Sequence, residues 1–373
     1  MPQLKVDLSA IRRNAEVFCD LCGSRGIAVS GVIKGAAGAL PVAKAVTAGG
    51  CRQLASSRLS QLRAIKAALP EIETLLIRMP LPTEAEAVVS CCDMSLNTEA
   101  DTLRALSEAA LRAGRIHKVI LMLELGDLRE GLPTEEALLE LARLAEDLPG
   151  LHLAGIGGTL NDIYGISPSR ENMTRLAAAF HAAENAVGRR LEILSGGSTT
   201  SVPLMLEGGL PPEINHLRIG EAILCGRDLP DLWGIRIPGA TCDTMTLSAA
   251  VIECNAKPTV PWGIQRTNGF GESPAIPADR GTRRRAILEI GRCDVGEVSQ
   301  LICPAGVSII GASSDHLVVD VEDLPGGIRV GDSLTFRLFY QGMLFAFTAE
   351  DVEKVYIEYT TAARRCEPPF SYS

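Results

Sequence analysis

Eight times before about residue 228, a short apolar run gives way to a longer amphipathic one, and nothing else in the 373-residue chain limits its fold so tightly. The short runs are VSGVIK (29–34), RQLAS (52–56), TLLIR (74–78), CCDMSL (91–96), KVILMLEL (118–125), LHLAGI (151–156), LEILSG (191–196) and INHLRIG (214–220). Between them lie stretches with apolar residues at helical spacing, such as EADTLRALSEAALRAG (99–114), TEEALLELARLAEDL (134–148) and SRENMTRLAAAFHAAENAVGRR (169–190). Parallel strands need a long crossover between them, so this alternation builds a parallel sheet. About eight such units match a (β/α)8 TIM-type barrel with helices outside. A doubly wound open sheet is the alternative, because spacing alone does not prove closure. In a barrel, chemistry sits at the C-terminal strand ends. Lys34, Arg129, Thr159, Ser198 and Arg218 fall there.

From about residue 236 the helical period fades. HLVVDVEDLPGGIRVGDSLTFRL (316–338) alternates apolar and polar residues around Pro325-Gly326-Gly327, the pattern of an antiparallel hairpin. RAILEIG (285–291) and KVYIEY (354–359) add strands, and the Gly- and Pro-rich stretch 260–281 reads as a long loop. The expected organisation is a barrel domain over 1–235 and a smaller, mostly β domain over 236–373, with residues 1–8 candidates for pairing with the second.

A net charge of −9 argues against general affinity for nucleic acid or an anionic membrane. Arg283-Arg284-Arg285 is the one basic run, best explained as a solvated strand entry. The start MPQLKVDLSAIRRN lacks a signal-peptide core, and no apolar run reaches transmembrane length. The 11 cysteines are scattered, and no second close pair accompanies Cys19 and Cys22. A structural zinc site needs four ligands, so no metal is expected. The reading is a cytoplasmic protein with mostly buried, reduced thiols.

One lysine stands out. VSGVIKGAAGALPVAKAV (29–46) ends an apolar strand on Lys34, and only Gly35, Ala36, Ala37, Gly38 and Ala39 follow before a helical pattern. Such a lysine either snorkels out of the strand end or is an amine given room to react. SGGSTTSVPLML (195–206) leaves the seventh strand through two glycines and three hydroxyls into a helix. Glycines admit close approach of an anion, and helix N-termini favour negative charge. RIGEAILCG (218–226) makes a similar turn after the eighth strand. Any one such turn is most simply an ordinary capped loop, but barrels often hold phosphate between the loops after strands seven and eight. A reactive lysine on strand one plus a phosphate cradle on strands seven and eight suggests a pyridoxal 5'-phosphate Schiff base, although aldolases on the same barrel also use Schiff-base lysines.

These segments carry a resemblance. VDLSAIRRN (6–14), VIKGAAG (32–38), ELGDLREG (124–131), LRIGEAILCG (217–226) and IIGASSDHLVVDVED (309–323) resemble motifs of the alanine racemase family, fold type III of the pyridoxal phosphate enzymes. Residues 195–228, GTLNDIYG (158–165) and ASSDH (312–316) are similar to the ornithine racemase branch, and the resemblance covers nearly the whole chain. It implies that Lys34 holds the cofactor covalently. Ser198, with backbone near Gly197, Gly220 and Glu221, would bind the phosphate, and Arg218 would face the ring nitrogen. Thr159 falls where many relatives place a ring-packing histidine. Arg129, with Ser314 and Asp315, would place the substrate carboxylate, and the 309–323 segment would reach a partner's site in a homodimer.

The departures are informative. The family's tyrosine four residues after the lysine is Gly38, its catalytic tyrosine of the β domain has Phe270 as nearest counterpart, and its strand-five lysine is Met122. A racemase needs proton donors on both faces of the α-carbon. Tyr164, Cys293, Asp315 and His316 are the candidates for the second, each with a structural reading beside it: packing for Tyr164 and Cys293, turn closure for Asp315 and His316. His316 is favoured, because histidine has the most suitable ordinary pKa. Loss of the bulky tyrosines at Gly38, Phe270 and Arg292, with Asp294, Glu350 and Asp351 nearby in sequence, points to a larger, cationic amino acid. The expected function is a pyridoxal phosphate-dependent racemase of ornithine or a related basic amino acid. The alternatives are an alanine racemase, a non-catalytic pyridoxal phosphate carrier or regulatory protein, and a lyase or Schiff-base aldolase.

Overall fold

In the computed structural model, residues 1–242 and 244–359 are described. Residues 360–373 of the expected second domain lie outside the described residues. Strand β1 is Gln3–Asp7, followed by β2 Ala28–Val32, β3 Gln53–Ser56, β4 Glu73–Leu76, β5 Met94–Asn97, β6 His117–Met122, β7 Leu151–Gly157, β8 Ile193–Ser195 and β9 His216–Ile219. Strands β2 to β9 form a closed barrel. Each is parallel to its neighbour, and β2 also pairs with β9, with Ala28 opposite His216 and Gly31 opposite Ile219. That last pairing removes the open-sheet alternative. All eight strands overlap the eight apolar runs. The fourth is displaced: Ala85–Cys91 is helical, so Cys91 and Cys92 precede the strand, which starts at Met94.

The strands read as continuous apolar runs because both faces are covered. β3, β5 and β9 are buried along their whole length. Val32, Ala55, Leu75, Met94, Leu96, Ile120, Met122 and Ala154 make one apolar cluster. Gly155 is required where β7 meets β8, because a Cβ there would lie 1.9 Å from the Ile193 carbonyl oxygen. The helices are bounded by local signals. Ser169 and Asn172 form a reciprocal capping box at the start of Arg170–Val187, and Gly188 ends that helix in the left-handed region at φ 74°. Thr134 caps Glu135–Asp147 by accepting from the Ala137 N–H. Among the described residues, no helix is long and apolar enough to cross a membrane.

The chain divides into two compact units, residues 9–242 and, separately, Met1–Leu8 with the residues beyond 242. The second unit contains β10 Met245–Pro258, β11 Thr282–Leu288, β12 Leu301–Ile302, β13 Ser308–Ala312, β14 Leu317–Asp320, β15 Ser333–Leu338 and β16 Glu353–Ile357. Its sheet runs β12-β15-β10-β11-β14-β13, and β1 lies between β10 and β16, antiparallel to the first and parallel to the second. The expected 316–338 hairpin does not form. β14 pairs with β11 and β13, whereas β15 pairs with β10 and β12. The cause is β10, which is 14 residues long and changes register between Val251 and Glu253. Its first half takes β15 and its second half takes β11. A helix at Tyr340–Thr348 also goes beyond the sequence reading; YQGMLFAFT is too uniformly apolar to show a helical period.

Candidate active site

One residue, Ile33, separates Lys34 from the end of β2, and Lys34 opens a short 3-10 turn over Lys34–Ala36. Ala37 and Gly38 then adopt the left-handed region, at φ 49° and 70°. The lysine is half-buried, and Nζ has no hydrogen-bond or ion-pair partner among the described residues. Burial, followed by the Arg129 charge, holds its ammonium below the ordinary lysine range; Asp162 and Glu130 act in the opposite sense, and Arg218 again lowers it. Lys34 therefore stands within electrostatic reach of four charged side chains from three other strand ends.

The loop after β6 supplies Arg129. Its guanidinium pairs with Glu130 and with Asp162 Oδ2 at 2.9 Å. Asp162, from the loop after β7, also accepts from the Thr159 hydroxyl at 3.0 Å. That loop is fixed from beneath by Asp127. The buried Asp127 carboxylate accepts from the backbone N–H groups of Asp162, Ile163, Tyr164 and Ile166 at 2.6, 2.8, 3.0 and 3.2 Å. Tyr164 contributes its backbone to this arrangement while its side chain is 68% exposed.

The loops after β8 and β9 form the small-residue cradle. Gly197 has φ 102° and accepts from Arg218 N at 2.9 Å. Ser198 Oγ caps the following turn by accepting from Thr200 N. The Thr199 hydroxyl accepts from Ala222 N at 3.3 Å and so ties the two loops together. A Cβ at Gly220 would lie 2.9 Å from Val32 Cβ, so only glycine lets the second loop lie this close to β2. The N–H groups of Ser198, Gly220 and Glu221 have no acceptor among the described residues. The Glu221 side chain turns back to accept from Arg227 N and Asp228 N at 2.7 and 3.1 Å, and burial, then Asp228, push its carboxyl up to about 7.

Arg218 lies on β9 and is only 5% exposed. It donates to Ser195 Oγ and to the Gly158 carbonyl, the latter at 3.0 Å. Burial pulls it down to about 10, so it stays charged at neutral pH.

Ser314, Asp315, His316, Cys293, Arg292 and Asp294 belong to the other unit. The turn Ser313–His316 joins β13 to β14 and is closed by Ser313 N donating to the His316 carbonyl. Asp315 and His316 are exposed, as is Cys293. Gly291 packs flat on this turn, since a Cβ there would meet the Ser314 carbonyl oxygen at 2.1 Å. Arg292 and Cys293 donate their backbone N–H groups to the Ser313 and Ser314 carbonyls. The Arg292 guanidinium lies 4.2 Å from the Phe270 ring centroid and pairs with both oxygens of Glu272. Burial, then the charges of Asp315 and Asp351, push the Asp294 carboxyl up. Met122 is wholly buried in the barrel. Gly38 faces Gln61, 2.6 Å from where a Cβ would sit.

Sequence reasoning missed Asp127, Glu130, Asp162 and Ser195. Asp127, Glu130 and Asp162 lie inside the quoted segments ELGDLREG and GTLNDIYG, and Ser195 opens SGGSTTSVPLML. Acidic residues flanking a singled-out arginine were the available signal.

A chain of this architecture has known counterparts. The family model for the alanine racemase N-terminal domain matches residues 6–228. An ornithine racemase of Acetoanaerobium sticklandii is 35% identical over 355 residues, covering 95% of this chain and 99% of the relative. A lysine racemase of Thermotoga maritima is also 35% identical, over 95% of this chain and 98% of its own. Among solved structures, alanine racemase from Streptomyces lavendulae shares 18% identity at a TM-score of 0.75, over 97% of this chain and 98% of that one. Alanine racemase from Bartonella henselae, with covalently bound pyridoxal phosphate, gives 18% and 0.71 over 95% and 99%. At that identity the structures speak for the fold, while the family match and the two relatives settle membership: the chain belongs to the alanine racemase family.

Proposed function

We propose that this protein is a pyridoxal phosphate-dependent racemase that interconverts the L and D forms of a basic amino acid, ornithine or lysine. The observation that carries the reading is Lys34, an unpartnered amine of depressed basicity at a strand end, set among charged groups from neighbouring loops. The two relatives named for ornithine and lysine support the substrate class.

The residues present fit the cofactor. Three unclaimed backbone N–H groups, at Ser198, Gly220 and Glu221, are suited to a phosphate. Arg218 would face the ring nitrogen, Thr159 would pack beside the ring, and Gly197 would let the backbone approach. When bound, pyridoxal phosphate supplies the electron sink that acidifies the α-hydrogen. Lys34 Nζ, neutral more readily than an ordinary lysine, would hold the cofactor covalently and, once displaced there by the substrate amine, would be free to take the proton from one face. Arg218, charged and donor-only, orients the ring without giving up a proton. Arg129, held by Asp162 and Glu130, receives the substrate carboxylate.

The second face needs a group that the barrel does not offer at Met122. We assign it to the Ser313–His316 turn of a partner subunit in a homodimer, with His316 as proton carrier and Ser314 and Asp315 as substrate contacts. The exposure of Trp262 and Ile264, 84% and 92%, supports a partner surface on the same unit. The protein would work in the cytoplasm.

The test is a panel of enantiopure amino acids incubated with purified, cofactor-loaded protein. Ornithine and lysine should lose optical activity faster than alanine at equal concentration. No racemisation of any amino acid would refute the reaction, and faster turnover of alanine would refute the substrate class.

A further inference from the structure

A line of polar side chains crosses the interior of the barrel and ends on Arg218. Ser195 Oγ accepts from Arg218 Nη1 and lies 2.8 Å from His216 Nδ1. His216 Nε2 lies 3.1 Å from Gln53 Oε1. Gln53 Nε2 donates to Glu73 Oε2 at 3.0 Å, and Glu73 Oε1 accepts from Lys118 Nζ at 2.8 Å. Ser195, His216 and Gln53 are 0%, 5% and 8% exposed.

The chemistry of the two ends, with a neutral imidazole between them, orders the hydrogen bonds. The Glu73 carboxylate only accepts, so Gln53 presents its amide NH2 to Glu73 and its oxygen to His216. That oxygen only accepts, so His216 Nε2 carries a hydrogen; burial and the Arg218 charge pull the imidazole down to about 3, which keeps it neutral and leaves Nδ1 bare. Bare Nδ1 takes the Ser195 hydroxyl hydrogen, which turns the Ser195 lone pairs to Arg218. Arg218, which only donates, fits this assignment from the other end. His216 is thus the neutral Nε2–H tautomer. Every hydrogen bond points one way, from a guanidinium to a carboxylate whose other oxygen is taken by Lys118.

We propose that Ser195, His216, Gln53 and Glu73 form a one-directional positioning relay that anchors the Arg218 guanidinium, with His216 locked as the neutral Nε2–H tautomer. Its consequence for catalysis rests on the reading that Arg218 faces the cofactor ring. A fixed Ser195 lone pair on one side and the Gly158 carbonyl on the other leave the guanidinium a single orientation. These residues act through Arg218 and touch no reacting atom.

The test has two arms. With 15N-labelled histidine in the cofactor-free protein, long-range 1H–15N correlations should show His216 with a bare Nδ1 and a protonated Nε2 across pH 5–9. An imidazolium pattern or a protonated Nδ1 overturns the relay. In the cofactor-loaded protein, Gln53→Leu and Ser195→Ala should each lower kcat about 5- to 10-fold, the scale of one lost buried hydrogen bond, with KM changed less than about twofold. The double variant should be no worse than the poorer single one, because a broken relay cannot be broken twice. Multiplying effects overturn the proposal. If Gln53→Leu does not fold, Ser195→Ala alone is examined by NMR; His216 should keep its Nε2 hydrogen because the Gln53 oxygen still accepts from it, and a hydrogen moved to Nδ1 or an unchanged kcat overturns the proposal. Failure to bind pyridoxal phosphate would sink the racemase reading, while the tautomer measurement would still decide the relay.

Discussion

Replacing Asp127 with asparagine should open the loop after β7 while sparing the barrel. The side chain keeps its size, but one carboxylate oxygen becomes an NH2. Tyr164 N and Ile166 N, now on Oδ1 at 3.0 and 3.2 Å, keep an acceptor. Asp162 N and Ile163 N, now on Oδ2 at 2.6 and 2.8 Å, face a donor. A hydrogen bond to a charged group contributes about 1.5–3 kcal/mol, and water recovers part of the loss in an exposed loop, so the closed loop should lose about 2–4 kcal/mol. At about 1.4 kcal/mol per decade, that is roughly 30- to 1000-fold less protection of these four amides from hydrogen exchange. KM for the amino acid should rise, since Asp162 no longer steadies Arg129. Burial raises the Asp127 carboxyl, yet the four N–H groups outweigh it and leave it below its ordinary 3.8. A folded pKa below the unfolded one stabilises at higher pH. The anchoring is therefore complete at neutral pH and is lost only as pH falls below 3.8 through the folded value. Wild-type protection in the asparagine variant would refute the reasoning.

Three further outcomes are expected. Lys34→Ala should abolish the yellow, borohydride-fixable chromophore, and cofactor still fixed by reduction would place the attachment elsewhere. Mixing Lys34→Ala chains with chains altered at Ser314, Asp315 and His316 should restore part of the activity, because one composite site of the mixed dimer is intact; demonstrably mixed dimers without activity would rule out shared sites. Gly155→Ala should lower stability by about 3 kcal/mol or more, read as a lower urea midpoint, because its Cβ would lie 1.9 Å from the Ile193 carbonyl oxygen. An unchanged midpoint would contradict the strand spacing.

The barrel was legible because its strands are buried on both faces and leave apolar runs at a regular interval. Lys34, Ser198 and Arg218 could be placed at strand ends because those runs locate the ends, while their roles rested on the resemblance. The β sheet was less so. The 316–338 alternation was read correctly as extended chain, but partner choice depended on the length and register shift of β10, which no local pattern reveals. The His216 relay was hidden for a related reason. Gln53, Glu73 and His216 are far apart in sequence and meet only because each starts a barrel strand. Asp127 looked like one acid among several in a loop, and its four backbone partners come from a loop 35 to 39 residues later.

The placement of β1 dictates an order of events during synthesis. Gln3 is held beside Glu353, 350 positions along the chain, and the whole barrel is encoded between them. Closing so long a loop costs about 3 kcal/mol more entropy than closing one of ten residues. A ribosome emits the first strand before β10 or β16 exists, so its edges stay unmatched while the barrel strands emerge and can close. The barrel is thus the natural first-formed unit, and its completion shortens the effective tether that β1 must span. Until then QLKVD is a bare strand in a nascent chain, the segment most open to capture by a chaperone or by another copy of itself.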